Sequence, residues 1–178
     1  MVGCCKALGE LKTRYGTFFA YGNHDRGYRW PKYRGYGDYE LRQELEKNGV
    51  QILQDKALLI DERFYLIGRE DAFIPGRADI AALTEGLDPE KYQIVLDHQP
   101  HDYDAEEKSR VDMVLSGHTH GGWLFPINKL AEWNGTDDKT YGLEKRSDTT
   151  FIVTSGISEW ALKFKTGTVS EYVVIDIV

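Results

Sequence analysis

Leu115-Ser116-Gly117-His118-Thr119-His120-Gly121-Gly122 is the stretch whose reading decides the fold. It follows a short apolar run, Met113-Val114-Leu115, and sets two histidines two residues apart at that run's end. Two other stretches have the same form. Thr17-Phe18-Phe19-Ala20 leads into Tyr21-Gly22-Asn23-His24-Asp25, and Ile94-Val95-Leu96 leads into Asp97-His98. A short apolar run bounded by turn residues is the mark of a buried strand. Three such runs, each ending in His, Asn or Asp, argue for one cluster of polar side chains along the edge of one sheet.

Imidazole nitrogen and amide or carboxylate oxygen suit divalent Mn, Fe or Zn. His118 and His120, two apart, share a face on a strand; on a turn both can reach one centre or two neighbouring ones. Asn23 adds a neutral oxygen. His24 beside Asp25 offers a proton donor or charge stabiliser with a carboxylate to orient it. Each piece alone has a plainer reading. A His-x-His is often structural, and Gly-Asn-His-Asp is a plausible turn, because those residues accept unusual backbone angles. The pieces count together, because each one closes an apolar run.

Composition narrows the field. The chain has 178 residues, enough for one domain with a sizeable core, and the reading is a single domain over 1–178. With 41% hydrophobic and 29% charged residues it is globular rather than disordered. A net charge of −7 argues against a general nucleic-acid binder, and with it against a nuclease. No apolar run approaches the ~18 residues of a membrane helix, and the start lacks a secretory signal's order. A cytoplasmic or peripheral-membrane setting is the expectation. Cys4 and Cys5 are adjacent and read as apolar residues rather than as a bridge.

Along the chain, residues 1–13 read as a helix, and Thr17 to Tyr21 as a strand buried on both faces. Arg26 to Gly37 is basic, aromatic and without period, so it reads as a loop. Asp38 caps a helix that Leu41 and Leu45 line up to Gly49. Val50 to Ile60 and Phe64 to Gly68 read as strands joined by an Asp61-Glu62-Arg63 hairpin. Asp79 caps a helix over Ile80 to Thr84. Tyr92 to Leu96 is a strand, 102–110 a surface helix, and Val111 to Leu115 the strand that feeds the histidine pair. Residues 123–148 hold little period. Phe151 to Thr154 and Glu171 to Ile177 close the chain as strands. This order predicts a layered α/β fold with mixed sheets flanked by helices.

Gly22-Asn23-His24-Asp25, a strand ending in His98, and Gly117-His118-Thr119-His120 resemble, in order and spacing, the calcineurin-like metallophosphoesterases. Thr154-Ser155-Gly156-Ile157 and the closing strand are similar to that family's ending. Gly121-Gly122 is similar to the small bacterial phosphodiesterase branch that includes lipid-pyrophosphate hydrolases. The resemblance implies a sandwich of mixed β-sheets and a two-metal hydrolysis of a phosphodiester or pyrophosphate. Asn23, His98 and His118 would hold one divalent ion and His120 the other. His24 would assist phosphoryl transfer, with Asp25 orienting it. Two ions about 3.5–4 Å apart can clamp a phosphoryl group for in-line attack.

The family pattern opens with Asp-x-His and Gly-Asp motifs on its first two strands, and the second motif's Asp bridges the metals. This chain carries neither ahead of Asn23. It therefore reads as the C-terminal portion of such an enzyme, with N-terminal strands missing. Without the bridging carboxylate at most one metal is weakly held, and the chain is expected to hydrolyse little or nothing. The competing reading is a non-catalytic interaction module of the same fold. Missing strands should leave a sheet edge exposed and invite self-association. Arg26 and Arg29, directly after the motif, suit bidentate contacts to a small phosphorylated substrate or an anionic lipid head group. The plainer reading of that segment is a solvated loop.

Overall fold

The N-terminal apolar spacing folds as a helix, but a shorter one than its period suggests: α1 runs Val2–Gly9 and ends on Glu10. A computed structural model describes residues 1–25, 35–122, 124–157 and 166–177. These fall into two compact units, Met1–His98 and Gln99–Val178. Arg26 and Arg29 lie outside the described residues.

In the first unit, β1 (Thr17–Ala20) pairs in parallel with β2 (Val50–Leu53), Thr17 opposite Val50 and Ala20 opposite Leu53. Helix α2 (Asp38–Lys47) connects them. Leu41 and Leu45 lie one helical turn apart and face inward, as read. With Cys5, Tyr21 and Val50 they make a buried cluster, and Leu8, Phe19 and Ile52 pack on it. Truncating a side chain as buried as Leu45 costs about 2–5 kcal/mol. Two expectations need correction. Asp38 is the first helical residue and Gly37 is the cap, because the Glu40 carboxylate turns back to accept the Gly37 N–H at 2.9 Å. Strand β1 is half-buried throughout rather than buried on both faces.

The apolar run Val50 to Ile60 is two strands rather than one. Asp55 turns the chain with φ 45°, so β3 (Lys56–Ile60) leaves the line of β2. The hairpin forms as expected: Asp61 and Glu62 both take left-handed backbone, and β3 pairs antiparallel with β4 (Phe64–Gly68). Strand β4 then pairs in parallel with β5 (Tyr92–Leu96), the connection passing through α3 (Ile80–Thr84). The register sets Gly68 opposite Leu96.

The second unit holds α4 (Tyr103–Lys108), β6 (Met113–Ser116), α5 (Leu130–Trp133), β7 (Gly142–Arg146) and β8 (Thr149–Val153). Strand β8 lies between β6, to which it is parallel, and β7, to which it is antiparallel. Tyr103 and Phe151 are fully buried, with rings stacked at 3.8 Å. Burial, and then the nearby Glu106, push the Tyr103 phenol far above its ordinary pKa. Helix α4 is therefore not wholly a surface helix, since Tyr103 and Glu106 both point inward.

Two further expectations change. Strand β7 falls inside the stretch that read as irregular. Residues 171–177 form no strand. Their alternation suits a ladder, but among the described residues no strand is paired with them. Instead the segment is pinned at one point: Glu171 accepts from Ser155 N–H and Thr154 Oγ1 through one oxygen and from Tyr141 through the other. The architecture is α/β, with mixed sheets and helices in each unit.

Candidate metal centre

Strand β1 ends at Ala20, and the next four residues turn sharply. Asp25 closes that turn twice: its N–H donates to Gly22 O at 3.1 Å, and its Oδ2 accepts from Gly22 N–H at 2.7 Å. This is the self-bonding turn that Asp favours. It gives Asp25 a hold on the backbone that carries Asn23 and His24. Asn23 is nearly buried, and His24 and Asp25 are half-buried.

His98 follows β5 by two residues. Its Nε2 lies 3.2 Å from Asn23 Oδ1. The glycine before Asn23 makes this approach possible. A Cβ on Gly22 would sit 2.6 to 2.8 Å from three atoms of the His98 ring. The Gly-Asn pair therefore works as a cradle, in which the missing side chain makes room for the imidazole and the amide oxygen meets it.

This pair fits a divalent cation. Metal bonds to N and O near 2.0–2.2 Å put neighbouring ligand atoms about 3–3.5 Å apart, the span found here. A neutral imidazole and an amide oxygen are a borderline-to-hard donor set.

In the second unit β6 ends at Ser116, and the histidine pair sits in a strained turn. His118 and His120 both have left-handed backbone, with φ 66° and 51°, followed by Gly121 and Gly122 at 70° and 80°. A non-glycine residue held this way costs on the order of 1–3 kcal/mol and persists only where its surroundings fix it. Thr119 does much of the fixing: its hydroxyl donates to Thr140 O at 2.6 Å and accepts from Gly121 N–H at 3.3 Å. Thr168 Oγ1 donates to His120 O. The two glycines are also needed for space. A Cβ on Gly121 would meet Thr168 at 2.6 Å, and one on Gly122 would meet Asn128 O at 2.0 Å.

His118 has neighbours the sequence did not announce. His101 stands edge-on to it with ring centres 5.8 Å apart, and His101 Nε2 lies 2.8 Å from Asp137 Oδ1. One ligand atom from each of His101, His118 and Asp137 falls within 4.8 Å of the others. Ligands on opposite sides of one ion stand about 4.2 Å apart at such bond lengths, so a separation within 4.8 Å is of the size one cation's ligands need. His101 ends no apolar run and falls in none of the motifs. Asp137 lay in the stretch 123–148, which holds little period. Within the first unit, then, the structure brings Asn23 and His98 together. Within the second it joins His118 to His101 and Asp137.

The family model for calcineurin-like phosphoesterase matches residues 4–122, a span that contains Asn23, His24, Asp25, His98, His118 and His120. An uncharacterized metallophosphoesterase of Helicobacter pylori is 32% identical over 89% of this chain and 41% of its own length. The uncharacterized metallophosphoesterase YkoQ of Bacillus subtilis is 28% identical over 94% of this chain and 62% of its own. A zebrafish relative, a transmembrane protein with metallophosphoesterase domain, is 33% identical over 70% of this chain and 30% of its own. The chain thus spans from under a third to about three fifths of the length of these curated relatives. No solved structure matches it. Among the described residues, no helix is long and apolar enough to cross a membrane. The ordered ligand motifs and the length of the family match together place this chain in the calcineurin-like phosphoesterase family.

Proposed function

We propose that the protein is a metal-dependent phosphoesterase whose cation site starts from Asn23 and His98. The observation that carries this reading is the 3.2 Å approach of His98 Nε2 to Asn23 Oδ1 over the Gly22 cradle. The family resemblance also implies His118 and His120 as metal ligands, with Mn, Fe or Zn as candidate ions. Bound divalent ions supply Lewis acidity and an activated water. His24 protonates the leaving oxygen or stabilises charge on the phosphoryl group. Asp25 holds the turn that presents it. The similarity of Gly121-Gly122 to the bacterial branch favours a phosphodiester or pyrophosphate. Arg26 and Arg29 are proposed to meet its negative charge, which includes that of an anionic lipid head group.

Weak turnover is the expectation for these 178 residues taken alone. The function is therefore tested by binding. Inorganic phosphate titrated calorimetrically should bind in the presence of Mn²⁺ and not in its absence. Equal binding with and without Mn²⁺, or none in either case, would refute the proposal. With Mn²⁺ present, an aryl phosphodiester should be hydrolysed far more slowly than by the longer Helicobacter pylori relative. Matching rates would overturn the expectation of weak activity.

A second reading has its own observation: His101, His118 and Asp137 approach one another closely enough to share a cation within the second unit. That set includes a carboxylate, which the Asn23 and His98 pair lacks.

A further inference from the structure

His98 is held in place from a side the family motifs do not mention. Parallel pairing of β4 with β5 sets Gly68 opposite Leu96. The next residues along, Arg69 and Asp97, are therefore neighbours beyond the strand ends. Arg69 N–H donates to Leu96 O at 3.0 Å, and its Nη1 donates to Asp97 Oδ2 at 3.0 Å. Arg77 Nη2 donates to the same carboxylate oxygen. The Asp97 side chain is 1% exposed, that of Arg69 3% and that of Arg77 11%.

The two arginines reach one carboxylate because a third residue brings them together. Asp55 Oδ1 accepts from Glu70 N–H at 2.9 Å, and its Oδ2 accepts from Ala78 N–H at 2.8 Å. One carboxylate thus clamps both ends of the 69–78 loop. Arg69 and Arg77 each precede a clamped residue by one position. Asp55 is also where β2 breaks from β3. The bend that splits the long apolar run therefore supplies the clamp.

A buried charge trio is expensive to build, and it is weak evidence for stability, since well-packed apolar residues often do as well. What it offers instead is fixed geometry, because guanidinium groups bind a carboxylate directionally. Asp97 is bonded to His98 through the chain, and the His98 ring occupies the space over Gly22 that a side chain there would fill. We propose that Asp97, gripped by Arg69 and Arg77 and set by the Asp55 clamp, is a positioning residue that aims His98 at Asn23 for cation binding. This rests on the reading that His98 holds a cation. Outer partners of metal ligands typically change affinity by about 10–100-fold when removed.

The test uses the full chain and Mn²⁺ alone. Asp97→Asn should lower Mn²⁺ affinity at least about tenfold, and in histidine-selective NMR of the metal-free protein its His98 ring signals should shift most. Asp55→Asn, which touches neither arginine's guanidinium, should do the same more weakly and serves if Asp97→Asn fails to fold. Leu45→Ala, in the core cluster, gives the reference. It should lower the melting temperature and leave Mn²⁺ affinity in place. The proposal is overturned if a folded Asp97→Asn or Asp55→Asn chain binds Mn²⁺ as the wild type does with an unmoved His98 ring. It is also overturned if Leu45→Ala lowers the affinity as much as they do. A wild-type chain that binds no Mn²⁺ would instead overturn the cation reading beneath it.

Discussion

His98 Nε2 and Asn23 Oδ1 stand 3.2 Å apart although 75 residues separate them. Two strand ends in the first unit are brought close enough to offer neighbouring ligands to one ion. Asn23 follows β1 and His98 follows β5. Because strand ends set the backbone and short turns set the side chains, small changes at this junction should have readable effects.

Gly22→Ala is the sharpest of these. The added Cβ would lie 2.6 Å from the His98 ring, so the ring or the turn must move. Overpacking of this kind costs about 1–3 kcal/mol. Urea denaturation should show a lower midpoint with an unchanged slope, and Mn²⁺ affinity should fall with it. An alanine variant of wild-type stability and affinity would show that the ring does not sit over Gly22.

The two candidate cation sets can be separated. If Asn23 and His98 provide the site, His98→Ala should cost more than about tenfold in Mn²⁺ affinity, the lower range for even an outer partner. Asp137→Asn should cost much less. The reverse order would place the ion with His101, His118 and Asp137. Equilibrium dialysis on both variants decides the matter.

How much of this was legible in the residues alone can be argued element by element. The ligand stretches were readable because each ends a short apolar run, a local signal. Asp97 stood beside His98 in plain view, but its partners Arg69 and Arg77 lie 28 and 20 residues away. Parallel register brings Arg69 to it and the Asp55 clamp on the loop brings Arg77, and no local period encodes either. His101 and Asp137, 36 residues apart, were hidden for the same reason. Strand β7 was missed because its half-exposed alternation sits in the charged run Glu144-Lys145-Arg146. The closing strand failed in the opposite sense: its pattern is good, but a strand needs a partner edge as well as a pattern.

Tyr141 reports on how that last segment is held. Its hydroxyl donates to Glu171 Oε2 at 2.8 Å. That bond, and to a lesser degree burial, raise the phenol's pKa above its ordinary 10.0. The stabilisation is therefore complete below the ordinary value and is lost as pH rises through the raised one. Melting temperatures of the wild type should exceed those of Tyr141→Phe by a constant margin at neutral pH. The margin should close in strongly alkaline buffer. A margin that persists unchanged there would contradict the hydrogen bond's role.

The first unit's small sheet contains only β1 and β2, so among the described residues each of these strands has an outer edge without a ladder partner. Open edges template pairing with other chains. Light scattering should find the chain self-associated at micromolar concentration, and a charge placed mid-strand by Phe18→Lys should reduce the apparent mass. A monodisperse monomer would refute this.

The most direct measurement places the ion itself. Sub-stoichiometric Mn²⁺ added to isotopically labelled protein broadens NMR signals steeply with proximity. The account predicts that the Asn23 side-chain amide and the His98 ring broaden first and together. Broadening that begins at His101 and spares Asn23 and His98, or no selective broadening at all, would contradict it.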